Sequence, residues 1–246
     1  MNIGVIGAAG KMGRMISMQL LKDPEVKAIS ALERENAPEI GKNINEILGI
    51  AEGEGAEIRS DVEASCKDMD CLIDFTLPEP TLKHVECCAE RGVPMVIGTT
   101  GITPEGEEKI KKASKKIPIV FSPNMSVGVN LLFKIVAEAA KVLGEDFSIK
   151  IDETHHIHKK DSPSGTAKMI AKKIKEAVGI EAPIKAFRKD EVVGNHGIVF
   201  DGKQENIEIR HDAKSREVFV LGAVKAAKFV IDKNPGLYSM ADVLGL

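Results

Sequence analysis

Asn2-Ile3-Gly4-Val5-Ile6-Gly7-Ala8-Ala9-Gly10-Lys11-Met12-Gly13 is the stretch that decides the fold. Its apolar start reads as a buried strand, and its glycines lead directly into a helical pattern over Lys11 to Leu21. Glycine between a strand and a helix lets backbone approach a pyrophosphate. The helix-terminal N–H groups and the helix dipole then hold the anion. Gly7, Ala8, Ala9, Gly10, Lys11 and Met12 are therefore candidate dinucleotide contacts. The pattern is G-x-x-G-x-x-G, with Ala9 where the usual fingerprint has its second glycine. Alone it is a weak signal, so its surroundings have to carry it.

Working outward, short β-branched runs at Val26 to Glu33, Asp70 to Phe75, Pro94 to Gly98 and Pro118 to Phe121 alternate with helical stretches at Pro80 to Arg91 and Pro104 to Lys116. That alternation predicts a doubly wound parallel sheet with crossover helices. Glu33 ends the second strand, where an acidic residue accepts hydrogen bonds from adenosine ribose hydroxyls, which favours NADH. Arg34 follows it and offers a partner for a 2′-phosphate, so both NADH and NADPH are expected as coenzymes. Two polar loops follow later strand ends, Gly98-Thr99-Thr100-Gly101 and Ser122-Pro123-Asn124-Met125. Ligands of open α/β sheets bind at such ends, so Gly98, Thr99, Thr100, Ser122, Pro123, Asn124 and Met125 are candidates to line the nicotinamide; each loop could also be an ordinary turn.

The stretch Pro38 to Ala56 reads as surface loop with a short helical turn. Val127 to Gly144 keeps helical spacing. Beyond it, strands are expected at Phe147 to Asp152, Gly197 to Asp201, Glu205 to Arg210 and Glu217 to Val220, with helices at Thr166 to Val178 and Ala223 to Asp232. The predicted fold is thus α/β, a Rossmann-like doubly wound parallel sheet with a second α+β domain. The 246 residues carry a formal net charge of -3 without long single-sign blocks, so no nucleic-acid footprint appears. No apolar run approaches membrane-spanning length, and no signal peptide is read at the start. Cys66, Cys71, Cys87 and Cys88 form no C-x-x-C pair, which suggests inert thiols in a cytoplasmic protein with a small-molecule partner.

The densest chemistry lies in Glu153-Thr154-His155-His156-Ile157-His158-Lys159-Lys160-Asp161-Ser162-Pro163-Ser164-Gly165-Thr166. Imidazoles, lysine, carboxylates and a capped helix start occur together, a combination suited to proton transfer. Ser162 or Ser164 can cap the helix, leaving Gly165 and Thr166 N–H groups for a substrate carboxylate. A metal site is a competing reading, since His155, His156, His158, Glu153 and Asp161 are all ligand types, but no H-x-x-x-H pair occurs. A solvated loop without function is another. His84, His196 and His211 stand singly and read as structural or surface residues.

At this loop the chain resembles the dihydrodipicolinate reductase family. The resemblance rests on His155-His156, Lys159, Asp161 and the block Pro163-Ser164-Gly165-Thr166-Ala167. It extends to the glycine loop, Glu33-Arg34, Asp74-Phe75-Thr76, Gly98-Thr99-Thr100-Gly101, Pro123-Asn124, Val193-Gly194 with His196, and Gly236-Leu237-Tyr238. It implies hydride transfer from NAD(P)H to C4 of a cyclic imine dicarboxylate. It also implies His155 and Lys159 as the acid/base pair, and His156, Lys159, Gly165 and Thr166 as holders of the substrate carboxylates, with no metal. A homotetramer is implied too, although the segment from Gly179 to Val192 is shorter than the family often has. The carboxyl-terminal helix would return to the nucleotide domain, giving residues 1–126 with 217–246 for the dinucleotide and 127–216 for substrate and oligomer contacts. The first half alone does not separate this family from other Rossmann reductases; a non-catalytic NAD(P)H sensor and a zinc hydrolase are further competing readings.

Overall fold

The structure is a computed structural model that describes residues 1–51 and 55–246. The chain divides into two compact units, Met1–Met125 with Phe219–Gly245, and Ser126–Val218 with Leu246.

The first unit runs β1 (Asn2–Ile6), α1 (Lys11–Leu21), β2 (Ala28–Leu32), α2 (Ile44–Leu48), β3 (Ile58–Arg59), α3 (Val62–Ser65), β4 (Cys71–Asp74), α4 (Pro78–Arg91), β5 (Met95–Ile97), α5 (Pro104–Ala113) and β6 (Pro118–Phe121). Among the described residues its seven strands pair in parallel, in the order β11-β6-β5-β4-β1-β2-β3, where β11 (Gly236–Tyr238) comes from the end of the chain. The order reverses at β1, which lies between β2 and β4. In open α/β sheets the crevice beyond such a reversal is where ligands bind. Both faces of the sheet are covered, as the all-parallel arrangement requires. Ile3 and Val5 pack with Ile16 and Leu20 of α1. On the opposite face Ile6, Leu72, Ile97 and Ile119 pack with Val85, Cys88 and Ile110 of α4 and α5. Local chemistry sets the helix ends. Thr103 caps α5 by accepting the Gly106 N–H, Pro104 fills its first turn, and Gly92 ends α4 at φ +75°.

The second unit contains α6 (Val127–Leu143), a 3-10 turn at Gly144–Asp146, β7 (Ser148–His155), α7 (Gly165–Val178), β8 (Ile184–Arg188), β9 (Gly194–Asp201) and β10 (Asn206–Ala213). Its sheet has the order β10-β9-β7-β8; β7 is antiparallel to β9 and parallel to β8. Leu132, Val136 and Ala140 of α6 and Ile170 and Ile174 of α7 bury one sheet face, against Ile149, Ile151, Ile198 and Phe200. The expected α/β sheet with a second α+β domain is what the structure shows.

The chain closes with α8 (Glu217–Val230), β11 and α9 (Met240–Leu244). Here the sequence reading needs correction. Glu217 to Val220 reads as a strand because Val218, Phe219 and Val220 favour extended backbone, yet these residues are the first turn of α8, not a separate element before a helix at Ala223. Tertiary packing overrides propensity. Val220, Ala223, Val224 and Ala227 bury one helical stripe in the first unit's core, and a Cβ on Gly222 would lie 1.7 Å from the Met125 carbonyl oxygen. The short elements β3, α3 and β8 carry no sequence signal strong enough to be assigned. α2 is the helical turn expected within Pro38 to Ala56; residues 52–54 of that stretch lie outside the described residues. The thiols are not all alike either. Hydrogen bonds from Cys88 and Cys87 bring Cys66 down to about 7, against burial, whereas burial pushes the Cys71 thiol up.

Candidate active site

In the first unit the glycine loop takes the shape a pyrophosphate requires, but most of its own N–H groups are spent internally. Gly7 and Ala8 donate to the Leu32 carbonyl at 2.8 and 3.0 Å, and Gly10 donates to Gly7. Ala9 donates to Glu33 at 3.0 Å. The N–H groups of Lys11 and Met12 have no backbone acceptor among the described residues, and Gly10 gives α1 no side-chain cap. The first turn of α1 therefore has N–H groups of the kind that suit an anion, and no acidic residue in it. Gly7 sits at φ +77°, and a Cβ on Gly13 would lie 2.0 Å from the Gly7 oxygen, so the tight loop requires glycine at both. Glu33 accepts from Ala9 and Arg34 N–H groups and keeps further lone pairs for ribose hydroxyls. Arg34 is exposed beside it.

The later loops of this unit also gather. Asp74 is fully buried at the end of β4. It accepts from Thr76 at 2.7 Å, from Thr99 at 3.4 Å and contacts His84 Nδ1 at 2.7 Å. Thr99 is itself buried, Thr100 is exposed, and a Cβ on Gly98 would strike the Phe75 ring at 2.2 Å. Ser122 turns its hydroxyl back to the Asn124 carbonyl at 2.8 Å. Met125 has its side chain in the core, so only its backbone is available to a ligand. Ala8 is buried likewise.

In the second unit the alternation of β7 sends Ile149, Ile151, Glu153 and His155 to its buried face. The carboxylate of Glu153 is 0% exposed and fully used. Oε2 meets His155 Nδ1, while Oε1 accepts from Arg188 Nη1 at 3.1 Å and from the Ser164 N–H at 3.1 Å. Arg188 also donates to the carbonyls of Lys159 and Asp161, so it fastens the loop that follows β7. Ser164 caps α7 by accepting the Ala167 N–H at 3.1 Å. Gly165, in the first turn of α7, has open space where a Cβ would be. Lys159 Nζ lies 2.8 Å from Asp161 Oδ1. His155, Lys159 and the start of α7 thus come together. His156 is half-buried with its Nδ1 enclosed and without a partner among the described residues. The exposed His158 ring lies 6.1 Å from that of His156 and its Nε2 is 3.4 Å from exposed Glu191. Among the described residues, no three His, Cys, Asp or Glu side chains are grouped to hold a metal ion.

The electrostatics follow from burial and pairing. Burial raises the Glu153 carboxyl, but the hydrogen bonds from His155, Arg188 and Ser164 outweigh it and keep it below the usual carboxylate range. An ionised Glu153 can only accept, so His155 Nδ1 carries the hydrogen of that bond. His155 falls below the ordinary imidazole value because burial disfavours its cation and Lys159 and Arg188 repel it, with Glu153 opposing. His196 is pushed down to about 4 by burial and by the neighbouring His155 and His211. For Asp161 burial acts upward, but Lys159 and the N–H of Gly165 hold its carboxyl low.

Sequence profiles of the amino- and carboxyl-terminal parts of dihydrodipicolinate reductase match residues 1–125 and 128–244. The chain belongs to the dihydrodipicolinate reductase family. It is 41% identical over 266 aligned positions to the 4-hydroxy-tetrahydrodipicolinate reductase of Nitrosospira multiformis, covering 100% of this chain and 98% of the relative. It is 41% identical over 263 positions to the enzyme of the same name from Anaeromyxobacter dehalogenans, covering 98% and 97%. Among solved structures, a dipicolinate-bound dihydrodipicolinate reductase from Paenisporosarcina sp. TG-14 superposes with TM-score 0.78 at 23% identity, covering 98% of each chain. An amine dehydrogenase from Mycobacterium smegmatis superposes with TM-score 0.63 at 12% identity, covering 97% and 94%, and shares the fold. The family is one of pyridine-nucleotide-dependent reductases.

Sequence reasoning singled out His155 and Lys159 as candidates but missed what surrounds them. Arg188 lies on the unassigned strand β8, and its link to Glu153 spans 35 residues. His196 and His211, taken as isolated, are neither. The His196 ring stands edge-on to His155 at 5.2 Å, and His211 lies 6.3 Å behind it. A Cβ on Gly194 would lie 3.0 Å from His155 Nε2, and Val193-Gly194 with His196 was a signal available in the sequence.

Proposed function

We propose that this chain reduces the cyclic, unsaturated imine dicarboxylate of the diaminopimelate route to lysine, giving tetrahydrodipicolinate, with NADH or NADPH as reductant. The observation that carries the reading is the meeting of His155, Lys159 and the start of α7 beyond the carboxyl end of β7 in the second unit. A dianionic substrate needs cations and helix-terminal N–H groups, and a reduction needs a proton donor. In this reading, Lys159, His156 and the N–H groups of Gly165 and Thr166 hold the carboxylates. Asp161, which occupies Lys159 and the Gly165 N–H in the free protein, gives them up when substrate enters. His155 delivers the proton that completes the reduction, assisted by Lys159.

A reduced nicotinamide supplies the hydride. The first unit fits such a coenzyme, because the loop cannot accept a Cβ at Gly13 and α1 begins without a cap. Gly7 to Met12 form the pyrophosphate cradle, Glu33 and Arg34 take the adenosine ribose, and Gly98, Thr99, Thr100 and Ser122 to Met125 line the nicotinamide. Residues 1–126 with 217–246 are the coenzyme domain, and 127–216 the substrate and oligomerisation domain of a cytoplasmic homotetramer.

The test is loss of NADH or NADPH absorbance on adding the protein to substrate generated by dihydrodipicolinate synthase from pyruvate and aspartate semialdehyde. Oxidation that needs both protein and generated substrate is expected with each coenzyme. Oxidation with neither, despite measured coenzyme binding, would refute the assignment.

A further inference from the structure

The same two-residue step on β7 that buries His155 buries Glu153 beside it. An ionised carboxylate with 0% exposure is tolerated only when its oxygens are satisfied, and Glu153 divides them unequally. Oε1 takes both structural donors, Arg188 and the Ser164 N–H, leaving Oε2 for the imidazole. We propose that Glu153 is the positioning residue for His155: it fixes the hydrogen on Nδ1, presents Nε2 as the proton-delivering atom, and is itself held by Arg188.

The groups that face His155 make this role specific. Lys159 comes from the following loop, Arg188 from β8 and His196 from β9, with His211 of β10 behind His196. All of these are cations or potential cations. Glu153 is the group that favours an imidazolium there, opposing burial, Lys159 and Arg188. Gly194 keeps the other nitrogen clear, since any side chain would press on Nε2. The inference rests on the proposed reaction in taking His155 as its proton donor. In that step the Nε2–H bond breaks, its electron pair stays on Nε2, and the electron pair beside the newly reduced carbon forms the C–H bond. His155 ends neutral, with Nδ1–H still bonded to Glu153, and solvent restores the proton.

Glu153→Gln tests the assignment. The glutamine carbonyl can serve Arg188 and Ser164 as Oε1 does, which turns the amide nitrogen toward His155 Nδ1 and places a donor where an acceptor stood. Imidazole 15N NMR of the histidine-labelled, full-length protein without substrate reads this directly. In the wild type, neutral His155 carries its hydrogen on Nδ1; in Glu153→Gln the hydrogen moves to Nε2 and the titration midpoint falls. Glu153→Asp keeps an acceptor and retains the Nδ1–H form, which covers the case where the glutamine variant does not fold. In turnover, Glu153→Gln lowers kcat on the order of 100-fold, with KM and coenzyme Kd little changed. Added to His155→Gln it costs nothing further, because it acts through that residue. An unchanged tautomer and midpoint in Glu153→Gln, or a full additional loss in the double variant, overturns the proposal. Absent turnover in the wild type with the NMR shift intact overturns the reaction reading and leaves the Glu153 assignment standing.

Discussion

Replacing Lys159 by Ala removes an ammonium that is 23% exposed and bonded to Asp161 at 2.8 Å in the free protein. Binding of a dicarboxylate exchanges that pair for a bond to the ligand. A hydrogen bond to a charged group is worth about 1.5–3 kcal/mol when a partner is removed. The pair given up involves Asp161, 52% exposed, and pairs of that kind are worth about 0.2–1 kcal/mol. The difference leaves about 1–2 kcal/mol, or roughly a 5- to 30-fold weaker Kd. Calorimetric titration with dipicolinate, an unreactive planar dicarboxylate, measures this without involving turnover, and NADH titrated in parallel should bind as in the wild type. A dipicolinate Kd within about twofold of wild type, well short of the tenfold that 1.4 kcal/mol brings, would refute the placement of Lys159 on a substrate carboxylate.

Other consequences follow from the same geometry. His155→Gln should lower kcat by about 100-fold or more while NADH affinity stays near wild type, measured by steady-state kinetics and fluorescence titration. Because His155 must be protonated to act as the acid and its value in the free protein lies below 6.5, kcat/KM should fall as pH rises through the range below 6.5; a rate that climbs there would contradict the role. His196 is held neutral down to about 4, whereas an unfolded histidine titrates near 6.5. Between those values the unfolded chain binds the extra proton, so stability is complete above pH 6.5 and declines as pH falls toward 4, by ~3 kcal/mol from this residue. Urea denaturation of the wild type and His196→Gln at pH 4.5 and 7 should show a shallower decline in the variant. Gly13→Ala drives a Cβ to 2.0 Å from the Gly7 oxygen and 2.7 Å from Ala8 Cα. It should cost about 1–3 kcal/mol in stability, read by thermal melting, and abolish NADH binding.

Local signals were legible where one residue type answers one local need. Gly7 and Gly13 are dictated by a turn and a close approach, Ser164 by a helix start, and the β-branched runs by a sheet buried on both faces. The first unit's parallel sheet followed from them, although its strand order did not. What the sequence hid depends on distant partners. Glu153 showed only as a ligand type, because the expected strand stopped at Asp152, short of the His155 end of β7, and nothing local shows that Arg188, 35 residues away, neutralises it. Arg188 sat in a stretch with no strand signal, since β8 is only five residues long and half-exposed along its length. His196 and His211 became neighbours through the antiparallel register of β9 and β10, which pairs them directly. The start of α8 was misread because Val218, Phe219 and Val220 suit a strand until packing decides otherwise.

The most direct measurement is the fate of the hydride. With NADH or NADPH deuterated at both nicotinamide C4 positions and substrate generated in ordinary water, NMR of the product should show one deuterium at C4 of the tetrahydrodipicolinate ring and ordinary hydrogen at the adjacent carbon, where the proton is delivered. Coenzyme oxidised without deuterium reaching the ring would contradict the account.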